Sequence, residues 1–187
     1  MKITSSYKVQ IKQYRHIFDD TVRIYRDAVD FLISVCLENW NEISALDGML
    51  LRKSYVENLI HKTKEHPHPK YEFDAVFYKF PSYLRRDAIA CAIGKVSSHK
   101  SSLSNWEASD MTTRGAEPGI PKAGFEFPCM YKTVMYQRTD EYSCKVKVWI
   151  RNTWDWISLQ LRKSDVDYIR RHCADRKECA PVLQKRG

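Results

Sequence analysis

The sequence predicts an α+β protein in which a helical bundle is inserted into an antiparallel β-barrel. Alternating apolar and polar residues open the chain, and apolar stripes at three- and four-residue steps fill its middle. Aromatic and β-branched runs dominate the last third. The predicted domains are therefore a first strand over 1–12, a helical bundle over 13–110, and the remaining strands with a short helix over 111–187.

The chain opens with one predicted strand and one long helix. "KITSSYKVQI" alternates closely enough to predict an edge-exposed strand. From Tyr14 to about Asn41, apolar residues such as Val22, Val29 and Cys36 recur on one side of a helical wheel. This stripe indicates packing rather than chemistry.

A shorter second helix is predicted after the break in "ALDGML" at Gly48. In "SYVE", Ser54 and Glu57 have the spacing of a capping box, which predicts a helix start there. The prolines of "EHPHPKYEF" lack amide donors, so this helix is expected to end near Glu65.

The stretch "FPSYLRRDAIACAIGKVSSHKSSLSNWE" predicts a third helix that begins just after Pro81. One side carries Leu84 and other apolar residues, and the opposite side gathers Arg86, Ser97 and Lys100 with further serines. Small hydroxyl donors beside positive charge let a sugar-phosphate backbone approach closely. An ordinary solvated face explains the same pattern, so both interpretations stay open.

Strand patterns follow a loop rich in glycine and proline, "EASDMTTRGAEPGIPKAG". "MYKTVMYQR", "SCKVKVWIR" and "WDWISLQLR" predict a meander or small barrel. "SDVDYIRRHC" predicts a brief helix with Ser164 as its N-cap and Asp165 in its first turn.

The charge of the chain suits a polyanionic partner. The net charge is +8 for 187 residues; residues 1–47 hold six basic and seven acidic side chains, which leaves +9 for the rest. Six scattered cysteines without a signal-peptide pattern predict a reducing, cytoplasmic setting. No run approaches the roughly twenty apolar residues of a membrane span, so no membrane partner is expected.

No catalytic or metal-binding motif stands out in the sequence. The "HPHP" histidines, His66 and His68, have no further ligands nearby, and a surface turn explains them better. In "HCADRKEC", the spacing of Cys173 and Cys179 exceeds that of a zinc pair. No glycine-rich phosphate loop or nucleophile elbow is present, so we expect no catalytic residue and no metal.

Basic residues interleave with aromatic ones in "KVKVWIRNTWDWISL". Aromatic rings can stack on unpaired bases while lysines and arginines neutralise phosphates, as single-stranded nucleic-acid sites require. The alternative is that the aromatic rings pack into a core while Lys145, Lys147 and Arg151 face water.

Three stretches carry a resemblance to a known family: the third-helix stretch, "PGIPKAGFEFPCMYKTVMY" and "KVKVWIRNTWDWISLQLRKSDVDYI". They resemble the N-terminal half of transposon-encoded TnpB proteins, the OrfB-type relatives of miniature type V CRISPR nucleases. The resemblance runs along nearly the whole chain but includes no catalytic motif. It implies a wedge β-barrel interrupted by a helical recognition bundle, which hold a guide RNA and read DNA beside the target.

In that family a nuclease domain of the RuvC type follows, and its acidic residues bind metal ions. The resemblance therefore implies that this chain lacks the nuclease centre, holds no cofactor itself, and needs Mg²⁺ only in an associated nuclease domain. The implied partners are guide RNA, target DNA and a separate C-terminal nuclease fragment, with a homo-oligomer as a further expectation. The alternatives are a stand-alone nucleic-acid-binding regulator and a protein-interaction module that dimerises through the first and third helices.

The resemblance also implies positions for nucleic-acid contacts. Those on the third helix would face DNA or the duplex backbone, and those on the wedge strands would lie near the guide RNA. The predicted nucleic-acid-binding residues are Ser82, Tyr83, Arg85, Arg86, Lys95, Ser97, Lys100, Lys122, Tyr131, Lys132, Lys145, Lys147 and Arg151.

Overall fold

The computed structural model of the chain describes residues 5–13, 16–112 and 114–184. The fold belongs to the α+β class. Six helices and three strands are found in these residues. They are α1 His16–Glu38, α2 Trp40–Ala45, α3 Gly48–Ile60, α4 Phe73–Val76, α5 Ser82–Ala108, β1 Tyr136–Arg138, β2 Ser143–Ile150, β3 Thr153–Gln160 and α6 Lys163–His172.

The chain divides into two compact units. The sheet unit combines Met1–Val22 with Pro128–Gly187, and the helical unit is Arg23–Phe127. The predicted domain boundaries followed residues 12 and 110, whereas the units divide after residues 22 and 127. The helical unit lies between two segments of the sheet unit along the sequence.

Helix α1 carries the predicted apolar stripe, and Val29, Leu32 and Cys36 are fully buried or nearly so. The helix ends at Glu38, three residues before the predicted end. Asn39 causes this break, since its buried side-chain amide donates to the carbonyl of Val35 at 2.7 Å and to the hydroxyl of Tyr71 at 2.7 Å.

Helix α3 departs from its prediction at both ends. It begins at Gly48, which adopts a left-handed φ of 82°, and it ends at Ile60 rather than near Glu65. Ser54 lies inside the helix, so the predicted capping box is wrong. Glu57 has another role, because its carboxylate accepts from two arginines of α5.

Helix α5 begins directly after Pro81, as predicted. Leu84, Ala88 and Val96 on its apolar side are fully buried. Near its start, Phe73 lies 4.7 Å from Phe77 between ring centroids, and these rings join Phe80 and Phe31 in an aromatic cluster. Burial of this aromatic area, with that of the surrounding aliphatic side chains, stabilises the helical unit.

The sheet unit contains an open three-stranded antiparallel sheet in the order β1-β2-β3. The sheet does not close on itself, so the predicted barrel is wrong for the described residues. Strand β1 also covers only the end of "MYKTVMYQR".

The predicted first strand is reduced to one bridge, between Ile11 and Leu161. Its residues 2–4 lie outside the described part of the chain, and residues 5–10 have mostly exposed side chains and no strand assignment. The segment is held by the carbonyl of Gln10, which accepts from Arg162 N at 2.8 Å. Few buried side chains there explain why a full strand does not form.

Helix α6 begins at Lys163, so the predicted N-cap at Ser164 is wrong. Arg162 precedes the helix and makes no side-chain cap. Asp165 lies in the first turn, as predicted, and accepts from Gln10 N at 3.0 Å. Its carboxylate therefore ties the N-terminal segment to α6.

Candidate nucleic-acid interface

One side of the sheet brings basic and aromatic side chains together. Strands β2 and β3 pair Lys145 with Ser158 and Lys147 with Trp156. Directly opposed residues of an antiparallel pair point to the same side, so these four side chains share one side of the sheet. We call this set, Lys145, Lys147, Trp156 and Ser158, the sheet surface.

The sheet surface is accessible and keeps its charges. Lys145 and Ser158 are exposed, and Lys147 and Trp156 are half-buried. Among the described residues no carboxylate lies within ion-pair distance of either lysine. The surface therefore presents two unneutralised cations beside one indole ring.

The three tryptophans of β2 and β3 have different environments. Trp149 and Trp154 pair directly, with ring centroids 5.8 Å apart in an edge-to-face arrangement, and Trp154 is buried. The core interpretation of these aromatics is thus correct for Trp154. Trp156 lies beside Lys147, where its ring remains partly accessible.

The strand that carries the lysines is held at its backbone. Lys147 N donates to the carbonyl of Met135 at 2.8 Å, and Trp149 N donates to the hydroxyl of Thr21 at 2.9 Å. Thr21 is fully buried, and its hydroxyl also donates to the carbonyl of Ile17 at 2.6 Å. The residues opposite Trp149 precede the start of β1, so the Thr21 hydroxyl accepts the hydrogen bond that a β1 carbonyl would otherwise accept. The backbone of β2 is therefore bonded at both Lys147 and Trp149.

Arg151 lies at the tip of the β2–β3 hairpin. Ile150 pairs with Thr153, which leaves Arg151 and Asn152 as a two-residue turn. Their φ angles of 50° and 59° are those of a type I′ turn, which matches the twist of the strands. Arg151 is exposed there and, like the sheet-surface lysines, has no carboxylate partner among the described residues.

The two arginines at the start of α5 have very different surroundings. Arg85 is only 5% exposed; it donates to Glu57 at 3.0 Å and lies 3.7 Å from Asp74. Arg86 is exposed, and its Nε lies 3.2 Å from the other oxygen of Glu57. Arg85 thus lies in the interior of the helical unit, where a nucleic acid does not reach it without unfolding.

Lys95 is also engaged within the helical unit. It pairs with Glu126, and its ammonium donates to the carbonyl of Lys122 at 3.2 Å. Burial raises the pKa of Glu126, but the hydrogen bond and charge of Lys95, with backbone amides, outweigh it and hold that pKa below its ordinary value. The charge of Lys95 is therefore balanced by Glu126. The side chain of Lys122 is exposed.

Other predicted residues of α5 lie at its surface. Ser82 and Tyr83 are exposed at its first turn, and Ser97 and Lys100 are half-buried in its middle. The carbonyl of Ser97 accepts from the hydroxyl of Ser101 at 3.0 Å. Of the predicted cations in the helical unit, Lys100 and Lys122 alone have no carboxylate partner among the described residues.

The predicted residues Tyr131 and Lys132 lie shortly before β1. Tyr131 is half-buried, and Lys132 is exposed with its ammonium 3.2 Å from Glu178. Arg138 also reaches Glu178, at 3.6 Å. This contact between Arg138 and Glu178 was not predicted, because no local pattern links residues 40 positions apart in the sequence.

A separate polar cleft of about 400 Å³ lies in the helical unit near the predicted surface turn. His68, Tyr71 and Glu72 line it together with Asp74, whose carboxylate lies 2.6 Å from His61 Nδ1. His66 and His68 are exposed, as the turn interpretation requires. Asp74 also lies near Arg85, so this cleft borders the internal ion pairs of the helical unit.

The described residues contain no group of three or more histidine, cysteine, aspartate or glutamate side chains that could hold a metal ion. None of the six cysteines forms a disulfide. None of the helices in the described ranges is long and apolar enough to cross a membrane.

Comparison with known proteins gives one family and one relative. The Aq_aa04 family model matches residues 3–150, a range that includes the whole helical unit and ends with β2. Uncharacterized protein aq_aa04 of Aquifex aeolicus (strain VF5) is 27% identical over 135 residues, which cover 66% of this chain and 76% of that protein. No solved structure is significantly similar to the chain.

Proposed function

Since the chain belongs to the Aq_aa04 family, we propose that it is a polynucleotide-binding module of that family, and that its sheet surface binds unpaired RNA. The observation that supports this function is the pairing of Lys147 with Trp156 beside Lys145 on one accessible side of the sheet. Lysines neutralise phosphates and an accessible indole stacks on a base, so the set matches both parts of a nucleotide.

The charges of the sheet surface favour a polyanion over a neutral protein partner. The protein gains no ion-pair stabilisation from Lys145, Lys147 and Arg151, because none of them has a carboxylate partner among the described residues. A phosphate chain would pair with all three. The net charge of +8 adds long-range attraction to the same class of ligand.

We propose more narrowly that the chain is the guide-RNA and target-DNA binding part of a TnpB-like RNA-guided nuclease, without a nuclease centre of its own. In this proposal the sheet unit acts as the wedge, built on an open sheet, and holds guide RNA. The helical unit acts as the recognition bundle, where Arg86, Lys100 and Lys122 contact target DNA. Cleavage would then need Mg²⁺ and a separate nuclease fragment, and a stand-alone regulator would bind without one.

Binding of a fluorescent single-stranded RNA, titrated at several salt concentrations, tests the proposal. Replacing Lys145 and Lys147 together with alanine is expected to weaken binding roughly tenfold at low salt and to reduce the salt slope by about 1.4, at about 0.7 for each lost phosphate contact. The matched control is Lys62→Ala with Lys64→Ala, which removes two exposed lysines of the helical unit. Equal losses in the two double variants, or no binding by the wild type, would refute the function.

A protein-interaction role has one observation in its favour. The apolar sides of α1 and α5, the dimer interface considered from sequence, are buried within the units, but Met49, Leu50 and Leu51 at the start of α3 are exposed, Leu50 by 77%. Adjacent exposed apolar side chains of this kind mark association surfaces. If this role holds, Leu50→Lys converts an oligomer to a monomer in sedimentation without changing RNA affinity.

A further inference from the structure

Glu178 collects three donors at the edge of the sheet. Its carboxylate lies 3.2 Å from the ammonium of Lys132 and 3.6 Å from Nε of Arg138, and it accepts from the hydroxyl of Tyr136 at 3.1 Å. Lys132, Arg138 and Glu178 are each about one-third to one-half exposed. Two cations and a hydroxyl therefore converge on one accessible anion.

Glu178 belongs to a segment that is anchored on both sides. Arg176 donates to the hydroxyl of Ser5 at 2.6 Å on one side. On the other, Met130 N donates to the carbonyl of Pro181 at 2.7 Å, and Leu183 N donates to the carbonyl of Pro128 at 3.1 Å. The segment thus holds Glu178 against β1, which is an edge strand of the described sheet.

Tyr136 gives the cluster a fixed donor. The residue is 6% exposed, and burial, followed by the charge of Glu178, raises the pKa of its phenol well above the ordinary value. The hydroxyl therefore stays protonated and donates to Glu178. Two flexible cations around one buried hydroxyl form a donor set suited to an anion with several oxygens.

We propose that Lys132, Tyr136 and Arg138 form a phosphate-binding site for the polynucleotide, and that Glu178 occupies this site as an internal competitor. The inference rests on the proposed function and adds a regulation to it. Residues Tyr136 and Arg138 point to the side of the sheet opposite Lys145. A chain that lies on the sheet surface would reach them by passing over the β1 edge, and its phosphate would displace Glu178.

Glu178→Gln tests the competition with the same fluorescent single-stranded RNA. The substitution keeps an acceptor for Tyr136 but removes the charge that holds Lys132 and Arg138. We expect affinity at low salt to rise roughly three- to tenfold, and the salt slope to steepen by about 1.4 for two new phosphate contacts. The charge-matched control, Glu117→Gln, changes an exposed loop residue of the helical unit and is expected to raise affinity much less. Equal gains in the two variants would overturn the competition.

A double-mutant comparison keeps the test decisive if Glu178→Gln lowers the melting temperature. In the wild-type background, Lys132→Ala with Arg138→Ala is expected to cost little affinity, because the contacts that the phosphate gains there are offset by those that Glu178 loses. In the Glu178→Gln background the same pair is expected to remove the whole gain. Equal losses in both backgrounds would mean that Glu178 does not compete. Absence of RNA binding by every protein would instead refute the proposed function, so the two failures are distinguishable.

Discussion

The ion-paired cations of the helical unit contrast with the lysines of the sheet surface. In the helical unit Arg85 and Lys95 are held by carboxylates of the same unit, and Arg86 shares Glu57 with Arg85. In the sheet unit Lys145, Lys147 and Arg151 have no such partner among the described residues. Arg85 and Lys95 therefore stabilise the fold of the helical unit, while Lys145, Lys147 and Arg151 remain available to a ligand.

The difference teaches that a cation must be judged by its burial and its nearest carboxylate. Arg85 and Arg86 are neighbours in sequence, yet one is buried and the other is exposed. A buried charge has to be paired within the protein, because desolvation is costly. An exposed ion pair contributes little to stability, so an exposed cation without a carboxylate partner costs the fold little.

The largest expected effect is the loss of stability on replacing Arg85. Arg85→Ala leaves Glu57 partly buried and removes the contact with Asp74, so we expect the free energy of unfolding in urea to fall by about 3 kcal/mol. Arg86→Ala is the matched control and is expected to cost less than about 1 kcal/mol. Similar small losses in both variants would mean that Arg85 does not act as an internal ion-pair partner.

A smaller effect is expected on RNA affinity when Trp156 loses its ring. Trp156→Leu removes one stacking partner, so the free energy of RNA binding should become about 1–3 kcal/mol less favourable in the fluorescence titration. The matched control in the helical unit is Trp106→Leu, because Arg114 already covers the ring of Trp106 at 4.5 Å. If Trp106→Leu weakens binding as much as Trp156→Leu, the two units do not differ as proposed.

The pH dependence of stability tests the ion pair between Glu126 and Lys95 in the helical unit. The folded-state pKa of this carboxyl is lowered, so its charged form stabilises the fold above the unfolded-state pKa, and this contribution is lost as pH falls through the folded-state pKa. Wild type should therefore lose about 0.5–1 kcal/mol more than Glu126→Gln between neutral and acidic pH. Parallel unfolding curves for the two proteins across that range would contradict the role of the Lys95 pair.

The sequence correctly predicted elements whose own residues specify their secondary structure. The start of α5 after Pro81, and strands β2 and β3, follow from proline geometry and from β-branched and aromatic runs. Local patterns gave a wrong prediction where a side chain bonds to residues that are distant in the sequence. Ser54 and Glu57 have the spacing of a cap, but Glu57 is needed by Arg85 and Arg86.

The candidate site was predictable only in part. The lysine and tryptophan positions of the sheet surface were visible in "KVKVWIRNTWDWISL", but their pairing depends on a register that the hairpin turn sets. The helical wheel separates Arg85 from Arg86, since a step of 100° per residue puts Arg85 on the side of Leu84 and Arg86 on the opposite side. The partner of Arg85 could not be predicted, because Glu57 lies on another helix, 28 residues earlier in the chain. Nothing in the sequence brings Glu178 to Lys132 and Arg138, because these contacts depend on how the segment after α6 returns to β1.

The smallest expected effect concerns the thiols, because Cys36 and Cys91 of the helical unit are less accessible than Cys179 of the sheet unit. In the helical unit burial raises the pKa of Cys36 to about 12 and that of Cys91 to about 11, so at neutral pH neither forms the reactive thiolate. Cys179 of the sheet unit is exposed. A thiol reagent at neutral pH should therefore label Cys179 first in the native protein, and Cys179→Ser should remove that fast phase. Rapid labelling of Cys36 or Cys91 without denaturant would mean that the helical unit opens readily, and the internal ion pairs of Arg85 and Lys95 would then not secure its fold.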